Sequence, residues 1–158
     1  MARFRFEADM RKWFVKLAKK PPFTIDFDVY YLCLLLGLAA RRTRAQQEAS
    51  DLVAHFPNTY VKTKHIVIGL FILAELARRG VKLDERDVVQ KIFQENLDPK
   101  DQTSLSDTAM NKLNEYAAGG FDVLRQAIGN PPERAETFLV VYHELLERTL
   151  AQSDKGAA

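Results

Sequence analysis

At 158 residues, with 47% apolar and 28% charged residues, the chain has the length and composition of one ordinary globular domain, which excludes extended disorder except at the ends. Its one cysteine, Cys33, excludes an internal disulfide framework and suits a reducing compartment, with the cytoplasm as the default. The net charge is only +2, yet residues 1–44 carry ten Lys or Arg against four Asp or Glu, so the basic charge is concentrated at the beginning.

The periodicity is helical almost throughout. From Phe6 to Lys20, the residues Met10, Trp13, Phe14 and Leu17 fall on one stripe with a basic exterior, which predicts an amphipathic first helix. Glu7 and Asp9 interrupt the basic residues and no cleavable apolar segment follows, so a secretory leader is not expected. Pro21-Pro22 stops the first helix. Thr24 or Asp26 is placed to cap a second helix over about Phe27 to Arg42. That helix is apolar nearly all round, the mark of a central element. Its apolar run, Val29 to Ala40, is twelve residues, whereas a membrane span needs about 20, so no membrane is expected as a partner.

Gln46 to His55 reads as a short helix and Phe56 to Tyr60 as a turn. A second core helix is predicted over Lys64 to Arg79, with Gly80 ending it. Asp84 to Asp87 opens another helix that ends near Asn96. After a polar connection, Ser106 or Asp107 caps a helix reaching Ala118. There Gly119-Gly120 interrupts the pattern. Two glycines in a helix interior cost about 2 kcal/mol relative to alanine, so the expectation is a break, with positive φ at one of them and a second short helix through Ile128. Gly129 to Pro132 stops that piece, and a last helix is expected from Glu133 to about Gln152. No segment shows sustained strand alternation. The fold class expected is all-α, one compact domain of six or seven helices over residues 1–152, followed by a frayed tail over 153–158.

The chemistry on offer is sparse. His55, His65 and His143 have no second ligand at i+3 or i+4, so no metal is expected, and no glycine-rich phosphate loop suggests a cofactor. Cys33, in an apolar helix, is expected to be an inert buried thiol. Paired acids at Asp26/Asp28 and Asp84/Glu85/Asp87 sit where helix starts favour negative charge. An enzyme is the weakest of three readings and would need Asp26, Asp28, Glu115, His65 and His143 to converge in one pocket. Nucleic-acid binding has more support. Arg3, Arg5, Arg11, Lys12, Lys16, Lys19, Lys20, Arg41, Arg42 and Arg44 would form one basic patch if the first two helices are antiparallel neighbours. The competing explanation for the three arginines after the second helix is stabilisation of its C-terminal dipole, with a solvated basic face elsewhere.

Pro22-Phe23, Asp28-Val29-Tyr30-Tyr31-Leu32, Gly37-Leu38, Arg41-Arg42 and Glu115-Tyr116-Ala117-Ala118-Gly119-Gly120-Phe121 with Leu124, followed by a closing helix around Phe138 to Leu146, occur in an order that resembles a family. It is the small proteins associated with the bacterial Dnd system of DNA phosphorothioation and phosphorothioation-dependent restriction. The resemblance spans roughly Met10 to Leu146, although Ala118 stands where the family pattern has a polar residue, usually Asn. It implies a non-catalytic accessory or adaptor subunit in prokaryotic defence against foreign DNA, whose partner is a larger protein of a DNA-modification or restriction system. Direct contact with DNA and self-association are further partners left open. The partner-binding residues expected on this reading are Tyr116, Gly119, Gly120 and Phe121, presented by the bend, with plain core packing as the competing explanation.

Overall fold

The computed structural model describes residues 1–157, which form six helices and a two-stranded sheet. In chain order these are β1 (Phe4–Glu7), α1 (Ala8–Trp13), α2 (Asp26–Ala40), β2 (Ala49–Val53), a 3-10 turn (Asn58–Tyr60), α3 (Lys64–Arg78), α4 (Arg86–Asn96), α5 (Asp107–Ile128) and α6 (Ala135–Ala157). The fold is mostly helical, but the all-α expectation is corrected by the sheet.

β1 and β2 pair antiparallel, with Arg5 opposite Asp51 and Phe6 opposite Ser50 and an irregularity at Phe4/Arg5. Phe4 and Phe6 point into the core while Arg5 points out. The segment expected to be a short helix over Gln46 to His55 therefore holds no helix, and its middle half, Ala49–Val53, is the second strand. The first helix is also shorter than its apolar stripe. Met10, Trp13, Phe14 and Leu17 are buried as expected, but regular helix ends at Trp13, and the chain continues through turns to Lys19 in the left-handed region (φ 61°).

α2 and α5 make the central packing pair, and the rest of the molecule is arranged around them. Their contact depends on glycine. A Cβ on Gly37 would overlap the Tyr116 carbonyl, one on Gly120 the Cys33 carbonyl, and one on Gly119 the Arg42 carbonyl. Helices ordinarily pack 8–10 Å apart, and side-chain-free positions on facing surfaces allow a closer approach. The expected break at Gly119-Gly120 does not occur: α5 runs unbroken from Asp107 to Ile128, and neither glycine has positive φ. The propensity lost is offset by the packing that the bare backbone permits.

Ser106 caps α5, its hydroxyl accepting the Ala109 N–H at 3.1 Å. Gly80 (φ 66°) closes α3, with Val81 N–H donating to Leu76 O and Gly80 N–H to Ala77 O, the paired bonds of a Schellman motif. α2 closes by the same bonds, Arg42 N–H to Gly37 O and Arg41 N–H to Leu38 O, with Arg41 in the left-handed position (φ 54°). At its start Asp28, rather than Thr24 or Asp26, accepts the Ile25 N–H at 3.0 Å. α6 continues past Gln152 to Ala157, and Ser153 hydrogen-bonds the Ala39 carbonyl, so the expected frayed tail is helical over 153–157; Ala158 lies outside the described residues.

Candidate docking face

The structure separates the ten basic residues of the expected nucleic-acid patch into two groups. Arg3 and Arg5 lie beside Asp51, Arg11 pairs with Asp26 at 2.6 Å and Lys16 with Glu133 at 2.8 Å. Arg44 is engaged most deeply. Its guanidinium bridges Glu7 (2.8 Å) and Asp122 (2.6 Å), and Glu7 is only 2% exposed. Glu7 also accepts the Gln47 N–H at 2.6 Å. The hydrogen bond to Glu7, aided by that to Asp122, holds the Arg44 guanidinium protonated beyond its ordinary range. Arg44 is thus a pin joining β1, the segment after α2 and α5. Lys12, Lys19, Lys20, Arg41 and Arg42 have no carboxylate partner among the described residues, although Arg42 donates to the Gln126 side chain.

The residues expected to be presented to a partner by a bend are interior. Tyr116, Gly119, Gly120 and Phe121 are buried on α5. The Tyr116 hydroxyl donates to buried Glu75 at 3.3 Å, while Phe121 packs edge-on against Trp13 and beneath the Arg125 guanidinium. Core packing accounts for all four.

Asp26, Asp28, Glu115, His65 and His143 are likewise accounted for one at a time. Asp26 holds Arg11, and Asp28 accepts the Ile25 N–H and the Tyr60 hydroxyl. Glu115 pairs with Lys112, His143 faces Glu147 at 3.1 Å, and His65 is exposed on α3. Among the described residues no three His, Cys, Asp or Glu side chains are grouped as metal ligands. Cys33 is fully buried, and burial pushes its thiol well above the ordinary range.

What remains unpartnered is an apolar face that no local motif announced. α3 packs against α2 and α4 with Val67, Ile68, Phe71, Ile72 and Leu76. Its opposite side repeats Ile66, Leu70 and Leu73 at i, i+4 and i+7, which are 62%, 41% and 53% exposed. From His65 to Ala77 the outward positions carry no Lys, Arg, Asp or Glu. Gly69 lies on this side with open space where a side chain would be. Across from α3, Leu146 and Leu150 of α6 form a second wall, and Leu35 and Leu38 of α2 form the floor of a cleft of about 300 Å³, which Arg41 and Asp154 also line. The signal was present in the sequence: α3 is apolar around more of its circumference than a helix at the edge of the fold can bury. Reading it as a second core helix was half right, since one side is core.

Comparison of the chain with family models, with curated proteins and with solved structures gives no match. No helix among the described residues is long and apolar enough to cross a membrane.

Proposed function

We propose that this protein is a helical docking module, a non-catalytic accessory subunit that acts by assembling with other protein chains. The observation that carries the reading is the α3 face: three large aliphatic side chains at helical spacing, exposed, uncharged and continuous with a leucine-lined cleft against α6 that Arg41 and Asp154 also line. Apolar patches of this kind, rimmed by polar residues, are a recurrent feature of interaction sites. The resemblance to Dnd-associated proteins supports the setting, a prokaryotic DNA-modification or restriction system in which a larger protein is the eventual partner.

The test is assembly in the native host. The tagged chain is expected to return with a protein of the DNA-modification or restriction apparatus, and that complex should be lost, with the fold retained, when Leu70→Glu and Leu73→Glu place charges on the face. A chain that returns alone and monomeric sinks the reading.

Direct DNA binding is the second reading, favoured by Lys12, Lys19, Lys20, Arg41 and Arg42, whose charges no carboxylate among the described residues neutralises. It predicts low-salt gel shifts, weakened uniformly across sequences by Arg41→Gln with Arg42→Gln, with a salt slope flatter by about 0.9 for each phosphate that the variant no longer neutralises. Arg44 is left intact in that test because its charge serves the fold. No shift at low salt with micromolar folded protein removes this reading.

A further inference from the structure

We infer that the occupant of the α3/α6 face is a second copy of this chain, in a two-fold dimer whose axis passes near Gly69. This rests on the docking reading above and names its partner. Three observations point to self-association.

The first is the distribution of charge. In an isologous contact each residue near the axis meets its own counterpart, so any charge placed there faces a like charge. The outward side of α3 is free of charged residues over more than three turns, from His65 to Ala77. Charged residues resume just outside, where a two-fold contact no longer superposes them: Lys62 and Lys64 before the face and Arg78 and Arg79 after it.

The second is Gly69. Glycine in a helix interior costs about 1 kcal/mol relative to alanine. The other mid-helix glycines of this chain each stand where another segment's backbone passes too close for a Cβ. Gly69, by contrast with Gly37, Gly119 and Gly120, has no atom of the described residues within 4 Å of the missing side chain, although it stands in the middle of the exposed aliphatic stripe. A second α3 crossing at Gly69 gives it the same role as Gly37 and Gly120, with Ile66, Leu70 and Leu73 interlocking around the crossing.

The third is complementarity between the two walls. Lys62 to Arg79 carries four bases against one acid, whereas α6 carries four acids against two bases. Glu147 and Asp154 lie one turn to either side of Leu150, which is 47% exposed. Arg78 and Arg79 already lie beside Glu75 and Glu95 of their own protomer, but Lys62 and Lys64 have no carboxylate partner among the described residues. When α3 enters the cleft of its partner, this basic N-terminal end therefore approaches the acidic α6 wall, and the two-fold repeats the contact in reverse. Opposite potentials across an interface fix its register and suppress wrong pairings.

The experiment is light scattering and sedimentation of the full chain over micromolar to submillimolar concentration, with circular dichroism as the control for folding. Wild type is expected to be a dimer. Gly69→Leu and, separately, Leu73→Glu are expected to weaken association roughly 30-fold or more, the effect of losing one interface hot spot, while helix content is unchanged because both positions face solvent in the single protomer. Gly69→Cys is expected to form an inter-protomer disulfide on mild oxidation, without interference from the buried Cys33. A wild type that is monomeric throughout overturns the inference, as does a dimer indifferent to both substitutions. If the monomer still loses a different protein partner through Leu73→Glu, the second copy is refuted while the docking reading stands.

Discussion

Gly120 of α5 lies directly against the backbone carbonyl of Cys33 on α2, so close that a Cβ at Gly120 would overlap the oxygen. Further along the same seam, Gly37 of α2 stands in the same relation to Tyr116 of α5. The two central helices therefore exchange glycines, each backbone fitting into the gap that the other's glycine leaves.

The first prediction follows from that seam. Intrinsic propensity alone would make Gly120→Ala stabilising by about 1 kcal/mol. Packing reverses the sign, because the added methyl collides with main chain, which cannot rotate away as a side chain can. Overpacked cores typically lose about 1–3 kcal/mol. Gly120→Ala and Gly37→Ala should each lower the denaturation midpoint by at least that range, and Gly119→Ala, aimed at the Arg42 carbonyl, should do likewise. Gly69→Ala, on the open side of α3, should not lower it in the monomeric protein. Gly120→Asn should destabilise at least as much, since the position is right-handed helix and its Cβ meets the same carbonyl. A raised melting temperature for Gly120→Ala would show that α2 and α5 stand further apart than this seam requires.

Arg44 supplies the second prediction. Breaking a buried ion pair by removing one partner typically costs about 3–5 kcal/mol, because the other charge is left without compensation. Glu7 is the deeply buried partner, and with Arg44→Ala it would keep only the Gln47 N–H among its present hydrogen bonds. Chemical denaturation should show a loss in that range, with Arg44→Lys in between, since an ammonium cannot span both carboxylates in the guanidinium's fork geometry. A double variant, Glu7→Gln with Arg44→Met, should recover part of the loss. If Arg44→Ala unfolds no more easily than wild type, the residue belongs to the surface after all.

These two sites also show which parts of the molecule could be read from the sequence. α2 to α6 were legible to within a few residues, except for the supposed break and the end of α6, because the 3.6-residue period, the Ser106 cap and the Gly80 stop are local signals that tertiary contacts did not override. The sheet was not legible. Phe4–Glu7 is too short for alternation to register, and its partner begins more than forty residues later, so neither strand carries a turn signal for the other. Gly119-Gly120 was misread for a related reason: propensity sees the cost of glycine within its own helix but not the neighbouring backbone that requires it. Arg44 was grouped with Arg41 and Arg42 by charge and proximity, yet its partners, Glu7 and Asp122, lie 37 and 78 residues away in sequence.

Arg41 gives the third prediction, with the opposite sign. It occupies the left-handed position that closes α2, where Cβ is disfavoured by roughly 1–2 kcal/mol and glycine is the usual residue. Glycine also loses more backbone entropy on folding, by roughly 0.5–1 kcal/mol. Arg41→Gly should therefore stabilise the fold by roughly 0.5–1 kcal/mol, visible as a raised midpoint in urea with an unchanged slope. Destabilisation by Arg41→Gly would mean that the arginine side chain makes a contribution larger than its conformational cost.

The fourth prediction concerns alkaline pH. Burial raises the hydroxyls of Tyr30, Tyr116 and Tyr142 above their ordinary value near 10, and burial followed by the hydrogen bond to Asp28 raises Tyr60. Burial likewise raises the Cys33 thiol from its ordinary value near 9. In each case the native state keeps a proton that the unfolded chain releases. Above the ordinary values the unfolded state therefore binds fewer protons, and the stability of the fold must fall as pH rises. The contribution is fully present below about pH 8 and declines first through Cys33 and then, above about pH 10, through the tyrosines, each fully buried group accounting for up to about 1.4 kcal/mol per pH unit and part-exposed Tyr60 for less. Urea midpoints should be level through neutral pH and drop steeply beyond about pH 10, with most phenolate absorbance appearing together with unfolding rather than before it. Tyr142→Phe separates the ionisation from the packing. It removes the 2.6 Å hydrogen bond to the Leu32 carbonyl, so it should weaken the protein at neutral pH, yet it should flatten the alkaline decline by removing one releasable proton from the unfolded chain. A decline equally steep in Tyr142→Phe, or tyrosines that all titrate near 10 in the folded protein, would contradict the buried placement of these rings.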